Sequence, residues 1–477
     1  MKQVIVIMYF ICSYSLLAEV KLFDMAAMRD ASTLEVEVLK DWYVVPGKIK
    51  TRQKLITIKV GEFIPGKDYR VPVRFIVPVG QKAKGFHLTG GNNLKSINND
   101  ARLRGVEADL IQGGVGLVYT IVQKLDSWGQ RELSQQSEAL FSKTLNSHYS
   151  VQYWAWPASL MRSITAAYAE EDYFEKGQVA CSGGSKNGAT PSVAVIHDER
   201  ISAVHATVSP ISESPLRLCD EKAWADLREY NKHHPSQTNK RSKQSGMHPF
   251  LGGTHGPRYN EAALAAGATW QDLKSLANEL ADQIFPAKHF EILKKRGVEL
   301  SFHPGTHDFV AYDMAYVGKN YPQLPIYLKA NTGHGKGGDK SQFRGQANKT
   351  AFLLRHFFAS EIESLLESPQ VTTKKEGAYL QIEVQFPEGS KVETGEVFWM
   401  YNRAPDGSEA YLSEAFPSEN QVVMEYNDQK GIWLAKIKIT EGSQQIDFFS
   451  THKKSLSFKG RKLETYLSSP YTRIDLK

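Results

Sequence analysis

Between Leu55 and Ala359 the chain alternates short apolar runs with amphipathic stretches, and the alternation predicts strands and helices in turn. Leu55-Ile56-Thr57-Ile58 and Val71-Pro72-Val73-Arg74-Phe75-Ile76-Val77 read as β-structure because branched and aromatic residues dominate them. Gly85-Phe86-His87-Leu88-Thr89 is a strand that ends at Gly90-Gly91-Asn92, and the unbroken apolar run from Gly116 to Val122 is of the kind buried on both faces of a sheet. From Trp156 to Tyr168 the spacing predicts a helix with Pro157 in its first turn, where a missing N–H costs nothing. Strands over 178–181, 201–208, 298–302 and 325–330 then alternate with helices over 187–197, 312–320 and 346–359. Such alternation implies a mostly parallel, doubly wound α/β sheet wrapped by helices on both faces.

Two segments break the rhythm. Residues 209–297, rich in Trp, His, Gly and Lys with a helix near 271–283, read as an insertion at the carboxyl edge of the sheet, either a cap over a ligand crevice or a packing excursion. Beyond Pro369 the pattern changes to short alternating runs such as Tyr379-Leu380-Gln381-Ile382-Glu383-Val384 and Trp433-Leu434-Ala435-Lys436-Ile437-Lys438-Ile439, separated by turn residues. That pattern predicts an appended all-β sandwich over 369–477. A chain of 477 residues has room for both units, since single cores rarely grow past about 250–300 residues. The catalytic α/β unit is expected over 19–366, after a leader of 1–18.

The leader has a charged start, Met1-Lys2, and a short apolar centre from Val4 to Ala18, as in a secretory signal peptide. A secreted or periplasmic protein is expected, with no stable membrane span after cleavage, because no other run is apolar for long enough. Only Cys181 and Cys219 would then remain, too few for a disulfide framework, and Cys181 reads as a small buried hydrophobe in a strand. A net charge of +6 spread over scattered Lys and Arg argues against nucleic acid as a partner. The local cluster Lys232, His233, His234, Lys240, Arg241 and Lys243 reads as a solvated loop.

Against this frame, Gly183-Gly184-Ser185-Lys186-Asn187-Gly188 stands between a predicted strand and a predicted helix. A hydroxyl is a weak nucleophile until a base takes its proton, and the α/β-hydrolase solution sets Ser on a sharp strand-to-helix turn flanked by glycines. The turn departs from strict G-x-S-x-G: Asn187 holds the position of the second glycine, and Gly188 follows it. An acid and then a histidine should follow at the ends of later strands. Asp308 closes His303-Pro304-Gly305-Thr306-His307-Asp308 after one strand, and His334 lies in Asn331-Thr332-Gly333-His334-Gly335 after the next. Ser185 is therefore the expected nucleophile, His334 the general base and Asp308 the residue that orients it. Backbone N–H groups of Gly91 and Lys186 are the expected oxyanion hole, and the Lys186 side chain reads equally as near the developing charge or as a surface lysine at a helix start.

Other signals are weaker. Ser182 is a second hydroxyl, but it precedes the glycines and should still lie in the strand. His303, His307 and Asp308 cannot share a helical face across Pro304 and Gly305, so no metal is expected there. The glycine-rich run from Gly333 to Ser341 does not fit a phosphate-binding loop, and no cofactor is implied.

Together, several segments resemble the PhoPQ-activated pathogenicity-related protein family, exported members of the α/β-hydrolase superfamily. They are Phe75-Ile76-Val77-Pro78 with Leu88-Thr89-Gly90-Gly91-Asn92, Trp156-Pro157 with Met161, the Ser185 turn, His307-Asp308-Phe309-Val310 with Asp313, and Asn331-Thr332-Gly333-His334. Asn187 and Phe309 differ from that family's usual basic and acidic residues. The serine turn is also similar to that of glucuronoyl esterases, where a basic residue follows the nucleophile. The resemblance implies Ser185, Asp308 and His334 as a triad and leaves the substrate open.

The expectation is an exported hydrolase of small-molecule or glycan-linked carboxylic esters acting through an acyl-enzyme. A peptidase or amidase uses the same triad. A non-catalytic envelope or carbohydrate-binding protein on the same scaffold is the reading expected if Asp308 and His334 lie more than about 8 Å apart.

Overall fold

The computed structural model describes residues 21–122, 130–234, 263–310, 313–335 and 338–477. The leader and the Lys240, Arg241 and Lys243 part of the basic cluster lie outside the described residues. Eight strands form one sheet: β1 Glu37–Val45, β2 Thr51–Ile64, β3 Lys67–Pro78, β4 Ala83–Thr89, β5 Gly116–Thr120, β6 Phe174–Gly184, β7 Ala203–Thr207 and β8 Glu299–His303. Their order is β1-β2-β3-β5-β4-β6-β7-β8. The first three strands run antiparallel to their neighbours, while β5, β4, β6, β7 and β8 are parallel. The chain reverses its strand order at β4, as a doubly wound sheet does, and the fold is that of an α/β-hydrolase.

The apolar runs explain the layering. Every residue of β5 is buried, as a strand covered on both faces requires. The helix Trp156–Ala169 is buried along nearly its whole length, with Pro157 in its first turn as expected. It packs with the helix Lys186–His197 in the core on one face of the sheet, while helix Asp339–Phe357 joins the cluster on the other. That last helix begins several residues before the predicted start, because the run Asp339-Lys340-Ser341-Gln342-Phe343-Arg344 has good helix formers but no apolar periodicity to announce it.

One expectation needs correction. Residues 325–330 form no ladder strand and touch the sheet edge only through the parallel bridges Phe302↔Ile326 and Gly305↔Lys329. Their other neighbour is the C-terminal unit, with Ser468 donating its N–H to the Ile326 carbonyl at 2.8 Å. That unit is all-β, as expected, and packs on the α/β core. Its strands β9 Gln370–Glu376, β10 Tyr379–Gln385, β11 Thr394–Tyr401, β12 Gln421–Val423, β13 Glu425–Asn427, β14 Ile432–Lys438, β15 Gln445–Phe458, β16 Arg461–Ser468 and β17 Thr472–Asp475 make two antiparallel sheets. Leu380, Ile382, Val384, Val397, Trp433, Ile437, Ile446 and Phe448 fill the space between them as a sandwich core. The alternate residues Phe398, Met400 and Phe449 join the main hydrolase core instead. The β11–β15 sheet is thus buried on both faces.

The described part of the insertion packs against the rest of the molecule. Leu273, Leu276, Ala277 and Leu280 of helix Trp270–Ala281 belong to the main core, whereas helix Glu221–His233 reaches outward. Its Tyr230 packs with Phe309 against Ala404, Tyr411 and Leu412 of the C-terminal unit. Cys181 and Cys219 are both buried and unbridged. Burial raises the Cys181 thiol pKa far above its ordinary value, so it behaves as the small hydrophobe that the sequence implied.

Candidate active site

The β6–β7 ladder runs through Ser182, Gly183 and Gly184, and the chain then turns at Ser185 straight into helix Lys186–His197. Ser185 sits at φ 58° and ψ −126°, a sparsely populated region for a residue with a side chain. Its backbone is held there on both sides. The Ser185 N–H donates to the Thr207 carbonyl at 2.7 Å, and its carbonyl accepts from Gly188 and Ala189, both at 2.9 Å. A Cβ on Gly183 would lie 2.1 Å from the Asn187 carbonyl oxygen, and one on Gly188 would lie 2.8 Å from the Gly183 carbonyl oxygen. Gly188 therefore does, one residue later, the packing that the strict motif assigns to position 187.

Ser185 Oγ is 2.6 Å from His334 Nε2, and His334 Nδ1 is 2.9 Å from Asp308 Oδ1. A carboxylate can only accept, so Nδ1 carries the imidazole proton and Nε2 presents a lone pair to the serine hydroxyl. Asp308 is fully buried, and the same Oδ1 accepts the Val310 N–H at 3.1 Å. A line of this kind can take the serine proton onto the imidazole while the carboxylate stabilises the cation. The three residues come from three separate segments, and the structure brings them together in the expected order.

The loops bearing Asp308 and His334 are laced to each other. Thr306 N–H donates to the Lys329 carbonyl at 3.1 Å, Lys329 N–H to the Pro304 carbonyl at 2.9 Å, and Asn331 N–H to Thr306 Oγ1 at 3.0 Å. Gly305 permits the approach, since a Cβ there would sit 2.1 Å from the Thr332 carbonyl oxygen. His307 is neutral: burial and the nearby Arg403 charge draw its pKa down to about 4, against an opposing pull from Asp308. The Phe309 ring lies 4.4 Å from the His334 ring, centroid to centroid, and packs against that imidazole.

The expected oxyanion residues flank Ser185. Lys186 opens the helix immediately after the nucleophile. Gly91 lies across from it, with its N–H leaning on Thr89 Oγ1 at 3.3 Å. Asn187, the residue that departs from the motif, packs directly on this glycine, its Nδ2 3.3 Å from where a Gly91 Cβ would stand. The Lys186 ammonium sits 5.9 Å from the centre of the Trp156 ring. Sequence reasoning missed Asn187 as a contact of Gly91, because a packing contact between two loops leaves no spacing signal.

The remaining candidates point elsewhere. Ser182 is buried in β6, 2.7 Å from His87 Nε2. The His303 ring turns towards Ser301 and Asn348, away from His307, and no group of three His, Cys, Asp or Glu among the described residues is arranged to hold a metal. A separate cavity of about 500 Å³ lies at the sheet edge beneath β8, lined by Val298, Leu300, Tyr327, Phe352 and Tyr466, and includes none of the three site residues.

No protein-family model matches the chain, and no curated protein matches it. Solved structures do. An acetyl xylan esterase from Thermoanaerobacterium sp. is 11% identical, with a TM-score of 0.36, over 70% of this chain and 94% of its own. A glucuronoyl esterase from Teredinibacter turnerae is 11% identical, with a TM-score of 0.37, over 69% of this chain and 79% of its own. Candida antarctica lipase A is 11% identical, with a TM-score of 0.33, over 68% of this chain and 82% of its own.

Proposed function

We propose that this protein is an exported serine hydrolase that cleaves carboxylic esters through an acyl-enzyme. The observation that carries the reading is the continuous hydrogen-bonded line from Ser185 Oγ through His334 to buried Asp308, at 2.6 and 2.9 Å. Ser185 attacks the ester carbonyl as His334 Nε2 takes its proton. The imidazolium is held by Asp308 and returns the proton to the departing alkoxide. Water then enters, gives a proton to His334, attacks the acyl carbon and releases the acid with Ser185 restored. The N–H groups of Lys186 and Gly91 receive the oxyanion, and the long Gly91 contact to Thr89 Oγ1 is one that a charged oxygen readily displaces.

The separation of Asp308 from His334, far below the limit set for a non-catalytic scaffold, supports an enzyme over a binding protein. Export rests on the leader, and kinship with the PhoPQ-activated pathogenicity-related proteins rests on the segments quoted around the site. In the full chain, a fluorophosphonate probe is expected to label Ser185. Ser185→Ala is expected to lose both the label and turnover of p-nitrophenyl acetate, by roughly a thousandfold or more. Retained turnover in that variant would end the proposal, and turnover of anilides but not esters would move it to an amidase.

A further inference from the structure

The loops that carry Asp308 and His334 are held from outside as well as by each other, and both outer holds come from the C-terminal unit. Arg403 is wholly buried and donates through Nη2 to the Thr306 carbonyl, two residues before Asp308. Asn331, three residues before His334, is clamped in both directions by Phe416. Its Nδ2 donates to the Phe416 carbonyl at 2.9 Å, and its Oδ1 accepts the Phe416 N–H at 2.7 Å. Asn331 also has φ 52°, a left-handed conformation that Asn tolerates well, so the clamp fixes a bend that aims the following residues at Ser185.

Arg403 is itself anchored inside the β-sandwich unit. Nη1 donates to Tyr471 Oη, Tyr471 Oη donates to Asp447 Oδ2 at 2.6 Å, and Arg473 holds Asp447 through two further bonds of 2.9 Å. The guanidinium lies 3.6 Å from the centre of the Tyr411 ring, and Tyr411 packs with Phe309, which packs against His334. Burying a charge is costly, and an apolar residue of similar volume would hold two units together at least as well. A planar donor fork that joins one loop carbonyl to a fixed hydroxyl does something an apolar residue cannot: it sets the position of that loop.

We propose that the C-terminal unit positions the catalytic pair, with Arg403 and Asn331 as positioning residues for Asp308 and His334. This rests on the ester-hydrolase reading only for its kinetic test. A displacement of about an ångström at such a site can cost on the order of a hundredfold in rate.

Asn331→Gly keeps the left-handed backbone and removes both bonds to Phe416; Arg403→Lys keeps the charge and removes the fork. In the full-length protein each is expected to lower kcat on p-nitrophenyl acetate roughly ten- to a hundredfold at nearly unchanged KM. Tyr379→Ala, an exposed change on the far sheet of the sandwich, should leave kcat as it was. The downfield proton resonance of His334 Nδ1–H, observable whether or not esters are substrates, should shift or vanish in Asn331→Gly and persist in Tyr379→Ala. If Arg403→Lys does not fold, Asn331→Gly decides alone. A folded Asn331→Gly protein with the parental resonance overturns the proposal. If the resonance changes while the parent protein turns over no ester, positioning stands and the ester reading falls.

Discussion

At the scale of single residues, Asn187 shows how a site can depart from its motif and keep its geometry. The steric work of the second glycine is done by Gly188, which leaves position 187 free to carry a side chain against Gly91. Asn187→Gly, which restores the strict motif, is therefore expected to lower kcat severalfold by freeing the Gly91 loop. It also places a glycine in the first turn of a helix, a cost of about 0.5–1 kcal/mol. Ester kinetics and urea unfolding check both, and a rise in kcat would show that Gly188 does not do the work assigned to it. Ser185, Asp308 and His334 were readable because each follows an apolar run with a polar turn in a fixed order. Gly305, Asn331 and Arg403 were not, because each acts on a loop brought near only by folding, and none sits in a local pattern that records the contact.

Among the elements, β6 is a strand where the sequence predicts one and leads directly to Ser185, yet its neighbours hold polar groups that an apolar run does not announce. Ser182 meets His87 at 2.7 Å, while His205 and His303 each meet Ser301 at 3.2 Å, so a buried polar row crosses β4, β6, β7 and β8. Burial draws the pKa of His87, His205 and His303 down, so these rings are neutral. Ser182 is also buried within β6, where a substrate carbonyl cannot reach its hydroxyl. Ser182→Ala should keep full fluorophosphonate labelling at Ser185 while leaving a buried His87 nitrogen unpaired, a loss of about 1–3 kcal/mol of stability. Labelling by mass spectrometry and thermal melting read the two effects separately, and loss of the label with the fold intact would make Ser182 part of the chemistry. The edge segment 325–330 was misread for a related reason. Its apolar composition is real, but it is spent between β8 and the C-terminal unit instead of in a ladder.

For the whole molecule, the feature least visible in the chain is the fusion of its two units. Alternation in β11 and β15 reads as a strand with one buried face, whereas here the second face is buried too, against the hydrolase. Where the units and the insertion meet, charge is buried with it. Arg217 of the insertion contacts Asp313 and donates to the Asp406 carbonyl at 3.0 Å, and Arg473 lies 3.6 Å from Asp406 Oδ1. Burial, reinforced by the neighbouring Asp313, raises the Asp406 pKa to about 7 even though Arg473, Arg403 and Arg217 all pull it down. Because the folded carboxyl binds its proton more tightly than the unfolded one, its contribution to stability is complete below about pH 4 and fades as pH rises through 7. Above that, the folded protein carries a carboxylate that its surroundings disfavour. Asp406→Asn removes the titration and keeps the shape. It is expected to melt near the parent temperature at pH 5 and a few degrees above it at pH 8. Carboxylates remote from Asp406 titrate in both proteins and cancel in the difference, whereas Asp313 titrates together with Asp406 and its share belongs to the same shift. An equal shift at the two pH values, or a lower melting point at pH 8, would mean that the three arginines win and that the junction is held by its charges.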